Sequence, residues 1–162
     1  MNASNAPDAR PRLWLEDLTA GQVFRFGDYP VTRDEVIEFA SRYDPQPFRL
    51  DDAAAAANPL LGKLCASGVH TLAMAQLLTS RCFGKFGIHP LAGAGMDEMR
   101  LPRPVFPGDT LHVELEIIEA RPIRSGNDRG LLSYLTKVIN QDGAGVMTYR
   151  GLLFMARRPA PG

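Results

Sequence analysis

The chain has 162 residues, and its 18 basic and 18 acidic side chains cancel to a formal net charge of zero. A chain of this length fits one domain and buries about 68–70% of its unfolded surface, so it needs no metal or disulfide to hold a core. The balanced charge argues against nucleic-acid binding, which uses a basic face, and no run approaches the roughly 18 apolar residues of a membrane span.

The first segment, MNASNAPDARPR, lacks the apolar core of a targeting signal and is rich in Pro, Asn and Ala. We predict a disordered tail over residues 1–12, a single domain over 13–158 and a short C-terminal tail over 159–162. Cys65 and Cys82 are the only cysteines and are not in a CxxC spacing. We expect them to be reduced, buried thiols of a cytoplasmic protein.

The next elements are a strand and two helices. The stretch VFRF favours a strand. Thr32 followed by Glu35 is a capping-box signature, and it predicts a helix of about three turns that ends where Asp44 precedes a proline. A short second helix is predicted to begin at Asp51 or Asp52 and to stop at the following proline.

A longer helix is predicted from Ala66 to Gly84, with Ser67 as its cap and Gly84 as its terminator. Its apolar residues spread round most of the circumference, which is typical of a buried helix. Another part of the chain must therefore wrap it.

The remaining sequence predicts the strands that wrap this helix. LAGAGMDEMRLPRPV can be a strand, PGD is a turn, and TLHVELEI alternates apolar and polar residues as a half-buried antiparallel strand does. The turn clusters SGNDRG and QDGAG separate two more strands near 131–140 and 145–156. We therefore predict an α+β domain in which an antiparallel sheet curls round the long helix.

The loop YDPQPFRLDD carries the first candidate site residues, Asp44 and Arg49. A carboxylate held at the mouth of an apolar cavity by two prolines can act as a general acid or base, although an Asp that merely ends a helix is common. An arginine cannot be a base, because its guanidinium stays protonated. It can pair with Asp44, bind a carboxylate or phosphate, or point to solvent.

The start of the long helix carries the second set, Ser67, Gly68 and His70. Unpaired amides at a helix start, next to a residue with no side chain, can form an oxyanion hole; Ser67 can also simply cap the helix. His70 fits a packed core residue as well as a catalyst. His89 and His112 look structural or exposed, and the histidines have no metal-ligand spacing, so we predict no metal site.

The blocks YDPQPFRLDD, LGKLCASGVHT and RLPRPVFPGDTL resemble the MaoC-like acyl dehydratase branch of the hot-dog-fold proteins, over about Trp14 to Phe154. The resemblance implies a hot-dog fold, a homodimer joined edge to edge or a higher homo-oligomer, and an acyl-CoA substrate with no separate cofactor. It implies an (R)-specific enoyl-CoA hydratase or dehydratase. The family's catalytic Asp falls on Asp44, and its backbone oxyanion donors fall near Ser67 and Gly68.

The sequence departs from the family at Arg49, where the resemblance implies a catalytic histidine. A serine that many members carry farther along the helix is also absent, with Ala73 in that region. Three outcomes stay open: hydration of an enoyl-CoA that is slow or uses His70 in place of the missing histidine, recognition of a dicarboxylic acyl-CoA by Arg49, or a non-catalytic acyl-CoA-binding or partner subunit. A hot-dog thioesterase is a lesser alternative. We expect the CoA phosphates near the basic residues Lys63 and Arg103.

Overall fold

Five antiparallel strands form one sheet in the computed structural model, which describes residues 11–162. The strands are β1 (Val23–Pro30), β2 (Pro90–Arg100), β3 (Thr110–Ile123), β4 (Gly126–Ile139) and β5 (Gly145–Ala156). Their order across the sheet is β1-β3-β4-β5-β2. The tail predicted over residues 1–12 falls outside the described residues except for its last two positions.

The helices lie between β1 and β2 along the chain. They are α1 (Arg33–Tyr43), α2 (Asp52–Ala57) and α3 (Gly68–Phe86), and short 3-10 turns occupy Leu15–Asp17 and Pro47–Arg49. Helix α3 is the predicted long central helix, and it packs against the sheet. This arrangement confirms the predicted α+β fold. Within the described part of the chain, no helix is both long and apolar enough to cross a bilayer.

The predicted end of α3 at Gly84 is wrong. The helix runs on to Phe86 and stops at Gly87, whose φ of +74° is the left-handed conformation that glycine adopts at helix ends. The amide of Ile88 then bonds back to the Phe83 carbonyl at 2.9 Å, which satisfies a terminal acceptor. Gly84 lies one turn too early and is an ordinary helical residue.

The turn predicted for SGNDRG is shorter than expected. Strand β4 begins at Gly126 rather than near residue 131, so the connection from β3 is only residues 124–125. Ile123 pairs with Gly126 across a tight hairpin. The pairing of two long strands outweighs the turn preference of Asn and Asp in this segment.

The buried residues of β3 match the predicted alternation, whereas those of α3 match the predicted buried helix only in part. The alternate residues Leu111, Val113 and Leu115 of β3 are all fully buried, as the period-two pattern predicts. On α3, however, Val69 is 58% exposed and Leu77 is 38% exposed. The expectation that α3 is covered nearly all round is therefore wrong for one face of the isolated chain.

Candidate active site

The loop after α1 turns Arg49 back toward Asp44. Asp44 caps the C-terminus of α1, and its carbonyl accepts a hydrogen bond of 2.8 Å from the Gln46 amide. The 3-10 turn that follows begins at Pro47, a residue whose fixed φ suits the first position of a helical turn. These two tight turns bring the ends of the loop close together.

Asp44 and Arg49 form a close ion pair. Arg49 Nε lies 2.7 Å from Asp44 Oδ2, although its N–H is not aligned for a hydrogen bond to that oxygen. The Asp44 side chain is 26% exposed and the Arg49 side chain is 18% exposed. Arg49 therefore points into the protein and not to solvent.

Arg49 also ties the loop to the residues just before α3. Its Nη1 donates to the Ala66 carbonyl at 2.9 Å and lies 3.7 Å from Cys65 Sγ. Burial raises the pKa of the Cys65 thiol, and the neighbouring guanidinium opposes that shift only in part. One arginine thus links the predicted base to the start of the central helix.

The start of α3 offers a backbone donor. Ser67, 1% exposed, is the N-cap, and its Oγ accepts from the Val69 amide at 3.3 Å. The Gly68 amide has no acceptor among residues 11–162. Leu101 covers the α-carbon side of Gly68, since a Cβ there would lie 2.6 Å from Leu101 Cδ1. The side chain of Leu101 fills the space beside the Gly68 α-carbon, and the Gly68 amide is left without a described partner.

A cavity of about 210 Å³ adjoins this helix start, and we call it the arginine cavity. Its wall includes Arg49, Gly68, Thr71, Leu101 and Arg103, and none of its lining residues is acidic. Arg103 Nη1 also donates to the Gly145 carbonyl at 3.2 Å. Asp44 is not in the wall itself but lies directly behind Arg49. The structure therefore brings Arg49, Gly68 and Arg103 together, with Asp44 one contact away.

His70 lies in a different cavity, of about 310 Å³, between α1 and α3. It is only 3% exposed, and its Nε2 is 3.2 Å from Glu35 Oε1. The Phe39 ring stacks on the imidazole at a centroid distance of 4.5 Å. The His70 Nε2 atom faces Glu35, and His70 is not among the residues that line the arginine cavity.

Tyr29 completes this network, which sequence reasoning missed. Its hydroxyl donates to the same Oε1 of Glu35, and burial followed by that hydrogen bond raises the pKa of Tyr29 to about 12. His70 Nδ1 is buried with no partner among the described residues. Glu35 was identified only as a helix-capping residue. Thr32 does accept from its amide at 3.3 Å, but the carboxylate points to Tyr29 and His70 instead of closing the box.

The other basic and metal-binding candidates lie apart from the site. The Lys63 ammonium sits 4.0 Å from the centre of the Phe106 ring, outside the arginine cavity. His89 is exposed, and His112 is half-buried on β3. Between residues 11 and 162, no group of three His, Cys, Asp or Glu side chains is placed to hold a metal ion.

Comparison with known sequences places these features in a family. The family model for the MaoC like domain matches residues 17–136. An uncharacterized protein of Bacillus subtilis, YdeM, is 34% identical over 127 residues, which are 78% of this chain and 87% of that protein. A mesaconyl-CoA hydratase of Cereibacter sphaeroides is 30% identical over 102 residues, which are 60% of this chain but only 29% of that protein.

Solved structures of MaoC-like and hot-dog-fold proteins are similar to this chain. A MaoC-like dehydratase from Rhodospirillum rubrum superimposes with a TM-score of 0.80 at 36% identity, over 91% of this chain and 99% of that one. An R-hydratase from Pseudomonas aeruginosa gives 0.66 at 26% identity, over 91% and 88%. A Mycobacterium tuberculosis protein with a double hot-dog fold gives 0.73 at 19% identity, over 93% of this chain and 47% of that one, and supports the hot-dog fold. With the family model covering most of the domain, this chain belongs to the MaoC-like dehydratase family.

Proposed function

We propose that this protein is an acyl-CoA hydratase or dehydratase, which adds water across the C2–C3 double bond of an enoyl thioester or removes it. The link from Asp44 to the start of α3 carries the proposal: Arg49 contacts the Asp44 carboxylate and bonds to Ala66, two residues before Gly68. A base and an oxyanion donor are the two groups that this reaction requires. Relatives named as hydratases support the same reaction class.

Asp44 is the proton carrier in this proposal. Its carboxylate takes a proton from water as the water oxygen bonds to C3, and the C2–C3 π electrons shift toward C1. The carbonyl π pair moves onto the thioester oxygen, where the Gly68 amide stabilises it; one such donor is worth about 3–4 kcal/mol of barrier. The proton then passes from Asp44 to C2, which restores the carbonyl and the carboxylate. Arg49 cannot carry that proton, and His70 is engaged by Glu35.

Loss of the conjugated enoyl absorbance, with crotonyl-CoA and a longer enoyl-CoA as substrates, tests this proposal. Asp44→Asn should lower kcat by about 10²–10⁴-fold. Asp52→Asn is the matched control, because Asp52 is 67% exposed on the same segment and pairs with Arg33. No turnover by the parent protein, or equal losses in both variants, would contradict the proposed role of Asp44. Release of free CoA thiol would instead indicate a thioesterase.

A non-catalytic acyl-CoA-binding or partner subunit is the second candidate function. The ion pair between Arg49 and Asp44 favours this candidate. Arg49 stands where the family resemblance implies a histidine, and it contacts one oxygen of the Asp44 carboxylate. If this candidate is correct, the parent protein is inactive. Arg49→His would then create hydration activity, and that gain is measured in the same absorbance assay.

We also propose that the protein is a homodimer joined through β2, working in the cytoplasm. All eleven residues of β2 are exposed, and this edge strand pairs only with β5 in the chain described. An open sheet edge is a site for pairing with another strand, and the large apolar residues Met96 on β2 and Val69 on α3 are both exposed. Sedimentation equilibrium should give twice the chain mass of 17.7 kDa. A monomer at micromolar concentration would contradict this assembly.

We propose that Arg103 and Lys63 bind the CoA phosphates. Arg103 lines the arginine cavity and is exposed. Lys63 is also exposed, and it precedes the cavity residue Cys65 by two positions. Replacing either with Ala should raise KM for an acyl-CoA and leave kcat unchanged, since phosphate binding is the same in ground and transition states. A fall in kcat with KM unchanged would place these residues elsewhere.

A further inference from the structure

A hydrocarbon acyl chain offers no hydrogen-bond acceptor to the guanidinium groups that line the arginine cavity. Arg49 and Arg103 both line it, and none of its lining residues is acidic. A guanidinium keeps its charge at any physiological pH. A plain enoyl chain would lie against Arg49 with no group able to accept its hydrogen bonds, and an unsatisfied polar group at a closed interface costs affinity.

One nitrogen of the Arg49 guanidinium has no hydrogen-bond partner among residues 11–162. Its Nε faces the Asp44 carboxylate, and its Nη1 donates to the Ala66 carbonyl. Nη2 donates no hydrogen bond to any residue from 11 to 162, and it is not among the buried atoms that lack a partner. Nη2 is therefore open to a ligand, and a planar guanidinium edge matches the geometry of a carboxylate.

We propose that the substrate of this site is a short dicarboxylic enoyl-CoA, with Arg49 Nη2 binding the carboxylate at the far end of the acyl group. The inference rests on the proposed hydratase function, since it names the substrate class of that same site. It explains why an arginine replaces the histidine expected from the family resemblance. Arg49 would bind the substrate carboxylate, and Asp44 would transfer the proton.

The closeness of Arg49 to the start of α3 favours a short acyl group. Arg49 Nη1 lies 2.9 Å from the carbonyl of Ala66, only two residues before Gly68. A thioester oxygen on the Gly68 amide and a carboxylate on Arg49 can then be separated by only a few bonds.

Charge balance supports the same substrate. A carboxylate entering beside Asp44 would bring two like charges together, which is unfavourable unless a cation lies between them. Arg49 is that cation, because it already contacts Asp44 and faces the cavity. A neutral histidine in its place would give no such compensation.

Fumaryl-CoA and crotonyl-CoA are the discriminating pair, since both have four acyl carbons in the backbone and a C2–C3 double bond and only one ends in a carboxylate. We expect kcat/KM for fumaryl-CoA to exceed that for crotonyl-CoA by at least tenfold. Arg49→Met should lower the ratio of the fumaryl-CoA value to the crotonyl-CoA value by about ten- to a hundredfold, as loss of a charged hydrogen bond does. Arg42→Met, which removes an arginine side chain 68% exposed on α1, is the control and should change neither.

Binding measurements decide the inference even if the protein turns over neither thioester. By calorimetry, succinyl-CoA should bind at least tenfold more tightly than butyryl-CoA, and Arg49→Met should abolish the difference. Arg49→Lys, which keeps the charge and serves if the Met variant is unstable, should retain part of it. Equal affinities for the two saturated thioesters in the parent protein would overturn the inference. Turnover of crotonyl-CoA as fast as fumaryl-CoA would overturn it while leaving the hydratase proposal standing.

Discussion

The substitution Gly68→Ala, at the start of α3, should affect ligand binding much more than it affects the stability of the fold. The added Cβ would lie 2.6 Å from Leu101 Cδ1, roughly 1 Å inside ordinary carbon–carbon contact at 3.5–4.0 Å. Leu101 is 46% exposed, so its terminal methyl can turn toward solvent at small cost. Alanine in a helix is favoured over glycine by about 1 kcal/mol, which opposes that cost. We expect the free energy of unfolding to change by less than about 1 kcal/mol, or ~2–4 °C in Tm.

Activity should respond far more strongly than stability. The new methyl group would occupy the arginine cavity beside the amide that is proposed to bind the thioester oxygen, so kcat/KM should fall at least tenfold. Adding Leu101→Ala restores the space and should recover part of the loss, which a double-mutant cycle measures. The assays are thermal melting by circular dichroism and loss of enoyl absorbance. Unchanged activity in Gly68→Ala would show that the thioester does not lie on this amide, and a fall in Tm above 10 °C would show that Leu101 cannot move.

Three further results are expected. Ser67→Ala should lower the free energy of unfolding by about 1 kcal/mol in a denaturant titration, because an N-cap is lost; no change would mean that water replaces it. Cys65 and Cys82 should not react with a thiol reagent at pH 8 until the protein unfolds, since burial raises the pKa of both thiols, that of Cys82 to about 11; rapid native labelling would refute that burial. The raised pKa of Tyr29, about 12 against an unfolded value near 10, contributes stability that is complete below pH 10 and is lost as pH rises through 12. Solvent screening at this half-buried group limits the contribution to about 1 kcal/mol, and Tyr29→Phe should remove that part of the pH dependence.

The sequence predicts which residues form the site better than it predicts the directions of their side chains. Two prolines and an Asp-Pro step fix the loop between α1 and α2, so residues 44 and 49 are necessarily close. The direction of Arg49 depends on the Ala66 carbonyl, which lies 17 residues away in the chain. Local patterns cannot specify such a contact. Solvent, Asp44 and a ligand were therefore all reasonable partners for Arg49 before the fold was known.

Glu35 shows a second limit of local reasoning. Its spacing from Thr32 predicts a helix start correctly, and α1 does begin at Arg33. The same carboxylate also pairs with His70, 35 residues farther along, which no helical or strand period reveals. The apolar pattern of α3 misleads in a related way. Exposed residues such as Leu77 look like core residues, and a single chain leaves them uncovered.

The pairing of Arg49 with Asp44 also predicts where selectivity arises in the catalytic cycle. In the unliganded protein the Arg49 guanidinium lies 2.7 Å from the Asp44 carboxylate that is proposed to accept the proton, so that oxygen is not free to approach a water molecule. A dicarboxylic substrate would share the guanidinium and so weaken its hold on Asp44, whereas crotonyl-CoA would leave it in place. Discrimination between the two thioesters should therefore appear in kcat as well as in KM. Equal kcat values with different KM values would mean that Arg49 contributes to binding alone.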